Sequence, residues 1–210
     1  MRRYSGAAVA SALLVGGALT VLIGLAPPSG DSRGAPQYTK DGELLRPAGY
    51  RSWVLCGSDL GIEYGAESPA APRGQAGSKD DSSDVFHNVY IDRAAYAIYA
   101  KTKKFPEKTV LVLELFESKQ KEPRHVVSRG HYAARRVGLA AAVKNSARPD
   151  GSKTPWAYYT FTNPKTPTGP PMATAKAHAD SACYNCHREH ADLDNVWVQF
   201  YPTLRDVDAD

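Results

Sequence analysis

The sequence predicts an α+β fold: a mainly antiparallel sheet of about five strands with a few short helices. Three observations carry this. Four runs dense in β-branched, aliphatic and aromatic residues stand out: Phe86–Ile91, Thr109–Phe116, Gly138–Val143 and Trp156–Phe161. Each is of strand rather than helix length. Helical periodicity appears only over short stretches. The links between the runs suit antiparallel pairing better than the helical crossovers a parallel sheet requires.

Asp31 to Gln37 is a polar tether containing glycine and proline, and Tyr38 to Pro47 reads as irregular or extended. Tyr50, Trp53 and Val54 share a helical face, so Tyr50 to Cys56 is expected to be a short helix. Cys56, the odd cysteine, reads as a small buried hydrophobe. Glu67 to Ser83 is a Ser/Pro/Gly-rich surface loop. In the strand Phe86–Ile91, period two puts His87, Val89 and Ile91 on one face and Phe86, Asn88 and Tyr90 on the other. Asp92 is placed to cap a helix over Arg93 to Lys101, which Phe105-Pro106 ends. Thr109–Phe116 is the strongest strand. Lys119 to Arg124 is a charged turn, Asn145 to Thr154 a polar loop, and Asn163 to Pro171 a loop too rich in proline to be helical. Ala173 to His190 ends in a helix or helical turn, and Val196 to Tyr201 is a last apolar segment.

The formal charge is +4, from 26 basic and 22 acidic residues, and Arg2 and Arg3 supply two of it. No basic patch interleaved with aromatics appears, which argues against a nucleic-acid partner. Arg2-Arg3 followed by the nearly uncharged run Gly6 to Ala26 reads as a secretory signal peptide or a retained N-terminal membrane anchor. Residues 1–35 are therefore set apart as targeting segment plus tether, and 36–210 as the folded domain. Both readings of the N-terminus imply export to the periplasm or beyond.

Cys183-Tyr184-Asn185-Cys186-His187 is a C-x-x-C-H motif, the attachment pattern of c-type haem. Two thiols at this spacing can bond the two vinyl groups of one haem, and the adjacent histidine supplies an axial nitrogen to the iron. A Cys183–Cys186 redox disulfide is the bland alternative, but no βαβ thioredoxin pattern surrounds it. A zinc site is another, but no second Cys/His pair closes a tetrahedron. One haem c per chain is the expectation, and it agrees with export, because this attachment takes place outside the cytoplasm. Only 23 residues follow His187 and none is methionine. Met172 precedes the motif, so a His/Met electron-transfer haem is disfavoured. The short β-like segments also exclude a four-helix cytochrome c′ bundle.

The chain resembles the cytochrome P-460 and cytochrome c′-beta family over nearly all of its length beyond the N-terminal segment. The marks are Gly42 to Pro47, Tyr50 to Val54, Asn88 to Asp92, Phe105-Pro106 running into Thr109 to Val112, Trp156 to Tyr159, Ser181 through the haem motif, and Gln199 to Leu204. The resemblance implies an antiparallel sheet, a five-coordinate c-type haem with His187 on the iron, and a homodimer. It also implies two branches. In P-460 enzymes, which oxidise hydroxylamine, a lysine on the strand after the Phe-Pro turn is linked to the haem ring. In cytochrome c′-beta that lysine is missing and the apolar pocket binds gases such as nitric oxide. The lysine position falls on Leu113, which has no amine, and Lys108 lies roughly 16 Å away along a strand. The resemblance therefore favours the gas-binding branch.

His87 and His178 fall where the resemblance places polar groups near the open iron position. Either could serve as a base or hydrogen-bond donor near neutral pH. His125, His131 and His190 read as exposed, and Asp180 and Arg188 as solvated. The expected function is an exported mono-haem cytochrome binding NO or a related small nitrogen compound. The enzymatic alternative is hydroxylamine oxidation, with a redox partner protein taking the electrons. A plain electron carrier is the third reading.

Overall fold

The computed structural model describes residues 34–62, 84–120 and 129–207. The N-terminal apolar run, the loop through 67–83 and His125 lie outside the described residues, as does the 121–124 part of the expected charged turn, whose first residues Lys119 and Gln120 instead continue a strand paired with Tyr132 and His131. Among the described residues no helix is long and apolar enough to cross a membrane.

Five strands form one antiparallel sheet: β2 (Val54–Leu60), β3 (Val85–Ile91), β4 (Val110–Gln120), β5 (His131–Lys144) and β6 (Trp156–Thr160), side by side in sequence order. A two-stranded sheet, β1 (Leu44–Leu45) with β7 (Thr174–Ala175), completes the α+β arrangement that the sequence predicts. Three short helices, α1 (Arg93–Thr102), α2 (Tyr184–His190) and α3 (Pro202–Arg205), lie between or after the strands.

The expected helix over 50–56 is a correction. Only Tyr50–Ser52 form a 3-10 turn, and from Val54 the chain is strand β2. The shared face of Tyr50, Trp53 and Val54 is also compatible with a turn running into a strand. Pairing of Val54 with Ile91 decides for the strand. Cys56 sits on β2 fully buried beside a bulge, and burial pushes its thiol pKa up, as suits an inert hydrophobe.

The sheet buries both faces. Ile91, Leu111, Trp156 and Tyr158 pack with Tyr99, Tyr184, Val196 and Leu204 on one face. Val110, Val112, Val143, Ala157 and Tyr159 pack with Leu44, Tyr50 and Ala175 on the other. This explains why β4 and β6 read as continuous apolar runs and not as alternating ones.

Helix α1 starts where the sequence predicts. Asp92 Oδ1 accepts from Ala95 N at 2.8 Å and Asp92 Oδ2 from Val110 N at 3.1 Å, so one carboxylate caps the helix and ties it to β4. Asp92→Ala removes the cap and strands a buried N–H. We expect a loss of about 2–3 kcal/mol, read as a lower urea midpoint with unchanged slope.

Candidate haem site

Helix α2 begins at the motif itself. Cys183 is its N-terminal flanking residue and Cys186 and His187 lie in its first turns. Both thiols are free and half-buried. Burial, with Cys186 close by, raises the Cys183 pKa and so favours the thiol over the thiolate.

His187 is fixed from three directions. Its Nδ1–H donates to the Asn195 carbonyl at 2.9 Å. Its Nε2 accepts from the Trp197 indole N–H at 3.2 Å. The Tyr158 ring lies against it, centroids 4.4 Å apart. These bonds assign the Nδ1–H tautomer. Burial lowers the pKa, against a smaller opposing effect of the Asn195 carbonyl, and so favours the neutral imidazole. A neutral ring with Nδ1–H held by a carbonyl is the form in which a histidine ligates metal through Nε2.

The register of the sheet places the other candidates. One row across the α2-facing side reads Ile91, Leu111, Ala142, Tyr158. The next reads Val89, Leu113, Ala140, Thr160, and the third Asp59, His87, Leu115, Gly138. Leu113 and His87 therefore share the sheet face of Tyr158, the ring against His187. They are diagonal neighbours, with Cβ atoms about 7 Å apart. Gly138, Ala140 and Ala142 give this face a floor of small residues between Leu113 and the edge at Thr160.

His178 is exposed at that edge. Its backbone N–H donates to the Tyr158 carbonyl at 2.8 Å, and Nε2 lies 2.8 Å from Thr160 Oγ1. Three strand spacings separate His87 from Thr160, roughly 15 Å. A single small ligand thus reaches one of the two histidines and not both.

His87 is half-buried opposite Asp59 on β2. Burial lowers its pKa, and the Asp59 carboxylate partly offsets this. The folded protein then binds this proton less readily than the unfolded chain. The resulting stability is present above about pH 6.5 and is lost as pH falls from there toward the folded value. Asp59, whose pKa burial raises against the pull of His87, acts with opposite sign at lower pH. His87→Leu is expected to flatten the pH dependence of the urea midpoint between pH 7 and 5. An unchanged slope would rule out the shift.

Asp180 departs from the solvated reading. It accepts from Arg148 Nη1 at 3.3 Å, Thr154 Oγ1 at 3.1 Å and Ser152 Oγ at 3.2 Å, and its own carbonyl accepts from Asn185 N at 3.0 Å. Arg148, with a side chain only 2% exposed, also pairs with Asp150 and donates to the Trp156 carbonyl. The 148–154 loop thus anchors the segment leading into Cys183. Nothing in the local sequence marks this, because the partners lie 26 to 32 residues apart.

A second unforeseen cluster lies on the opposite sheet face. Glu114, fully buried, accepts from Tyr50 Oη at 2.7 Å and Arg51 Nη2 at 2.5 Å, with Arg136 Nη1 3.9 Å away. Burial, then the Glu114 bond, raises the Tyr50 pKa to about 12. This cluster ties the 3-10 turn to β4 and is remote from His187.

The fold and site together define a β-sheet haem cytochrome. The chain belongs to the Cytochrome P460 family, whose model matches residues 47–198. No curated protein matches it. The family implies a haem, and the residues present fit one. Two free thiols sit one helical turn apart, beside a neutral imidazole held by Nδ1. The buried Asn195 Nδ2 has no partner among the described residues, so a donor beside the ligand awaits an acceptor.

Proposed function

We propose that the chain is an exported mono-haem c-type cytochrome that binds nitric oxide or a related small nitrogen compound. In this reading Cys183 and Cys186 hold the haem through thioether bonds, and His187 Nε2 is the only protein ligand to the iron. Bound haem would supply an iron with one coordination position free for a small ligand.

The observation that carries the reading is the apolar sheet face with Leu113 at its centre, on the side against which α2 packs. Val89, Leu113 and Ala140 are apolar and offer no coordinating atom, which favours a five-coordinate iron and an uncharged ligand. His187 is held neutral with Nδ1–H on Asn195, and its Nε2 lone pair, taken by the Trp197 indole N–H at 3.2 Å, would exchange that bond for the iron. A homodimer in the periplasm, membrane-attached only if the N-terminal segment is retained, goes with this proposal.

One observation favours a second reading, oxidation of hydroxylamine with electrons passing to a redox partner protein. His87 lies one diagonal step from Leu113, and burial biases it toward the neutral form, so it could accept a substrate proton. His178, exposed and held by Thr160, is the weaker candidate base.

Absorption spectroscopy of the haem-loaded protein separates these. A five-coordinate high-spin ferric spectrum, with NO binding at one equivalent per haem, is the expected result. A low-spin six-coordinate spectrum in both oxidation states would overturn it in favour of a carrier. A red-shifted Soret band would indicate a cross-linked ring. Hydroxylamine turnover that disappears in His87→Ala would establish the second reading.

A further inference from the structure

The carbonyl that orients His187 is unusual in its own support. It belongs to Asn195, which with Asp194 forms a turn of two consecutive left-handed residues, φ 47° and 64°. Asp and Asn are the side chains that tolerate this conformation, and the turn is closed by Val196 N–H donating to the Leu193 carbonyl at 2.8 Å. Asp194 ties this turn to the sheet. Its Oδ2 takes Lys144 Nζ at 2.7 Å and its Oδ1 takes the Trp156 indole N–H at 3.1 Å. Lys144 Nζ also donates to the Phe105 carbonyl at 2.8 Å. The turn is therefore pinned to β5 and β6, and the Asn195 carbonyl is aimed by the sheet and not by α2.

That carbonyl accepts two bonds. His187 Nδ1–H donates at 2.9 Å, and the Tyr158 hydroxyl donates at 3.2 Å. A carbonyl has two lone pairs, so both fit, but two donors draw on one oxygen's charge and each bond is weaker than it would be alone. The strength of the Nδ1–H bond sets how much anionic character the imidazole carries, and hence how strongly it donates to a metal.

We infer that Tyr158 is a positioning residue that tunes the iron ligand. By sharing the Asn195 carbonyl it restrains the basicity of His187, while Asp194 fixes where that carbonyl points. The inference rests on His187 being the axial ligand of the proposed haem. The consequence is a ligand that binds the ferric ion less strongly than a carbonyl devoted to His187 alone would allow. Bound haem would then have a correspondingly higher reduction potential.

Two variants of the haem-loaded protein test this with opposite signs. Tyr158→Phe keeps the ring against His187 and removes only the hydroxyl. The iron–histidine stretching band of the ferrous form should move to higher frequency. The reduction potential should fall, with about a threefold rise in the oxidised-to-reduced ratio at fixed potential, or ~28 mV at 59 mV per tenfold. Asp194→Ala releases the turn, so the band should move down and the potential up. An unchanged band and potential in Tyr158→Phe, or a raised potential, overturns the inference. If Tyr158→Phe does not fold, Asp194→Ala decides alone, and an unmoved band and potential there has the same consequence. A wild-type protein with no iron–histidine band, and a spectrum unaltered in His187→Ala, would instead remove the ligand assignment itself.

Discussion

The Cys183→Ala/Cys186→Ala double variant should carry no haem through denaturing chromatography. Its intact mass should be that of the polypeptide alone, whereas the wild-type mass includes the adduct. Both side chains are half-buried and small, so trimming two sulfur atoms leaves the sheet standing. Far-ultraviolet circular dichroism is expected to be nearly unchanged. His187→Ala gives the complementary outcome, because the thiols that make the covalent bonds remain. That variant should keep the adduct mass and lose its normal visible spectrum. A double variant that still carried haem after denaturation would overturn the thioether assignment. A His187→Ala variant with a native spectrum would overturn the axial one. The expected change in covalent loading is essentially complete, since no other described cysteine is available: Cys56 is fully buried on β2 and packs within the core.

Much of this architecture is legible in the residues, for reasons that differ by element. Strand β4 announces itself because Val110 to Val112 are buried on alternate faces of a central strand, with Leu113 partly buried beyond them, which forces an unbroken apolar run. Helix α1 is legible because Asp92 is a local capping signal that acts three residues away. Strand β2 is not legible. Gly57, Ser58 and Asp59 dilute its propensity, and its pairing with β3 crosses the long 63–83 segment. The haem motif is read directly, since its chemistry is contained in five consecutive residues. The groups that hold it are not. Asp180 meets Arg148, and Asn195 meets Tyr158, only after the chain has folded, the partners lying 32 and 37 positions apart. Period-two alternation correctly puts His87 with Val89 and Ile91, but only the register shows that this face carries Leu113 and Tyr158. The same register shows that His178 stands at its far edge.

Trp156 joins that core to the site, and Trp156→Ala should be the most damaging single truncation in the sheet. The side chain is fully buried and meets the Phe105 ring edge-on at 5.9 Å, and Phe105 in turn stacks on Tyr99 at 4.4 Å. Removing the indole deletes this packing at the β6 end of the core and leaves a cavity, a loss of about 3–5 kcal/mol. For a domain of this size that lowers the melting temperature on the order of 10 °C. The indole N–H is also one of the two groups that pin Asp194, so the damage reaches the turn that orients His187. Trp156→Phe separates the two effects. It refills most of the volume, so most of the melting temperature should return, but it cannot donate to Asp194. We therefore expect Trp156→Phe to fold near normally and still show a weakened iron–histidine band, in the direction of Asp194→Ala. Equal recovery of stability and band would mean that Lys144 alone suffices to hold the turn.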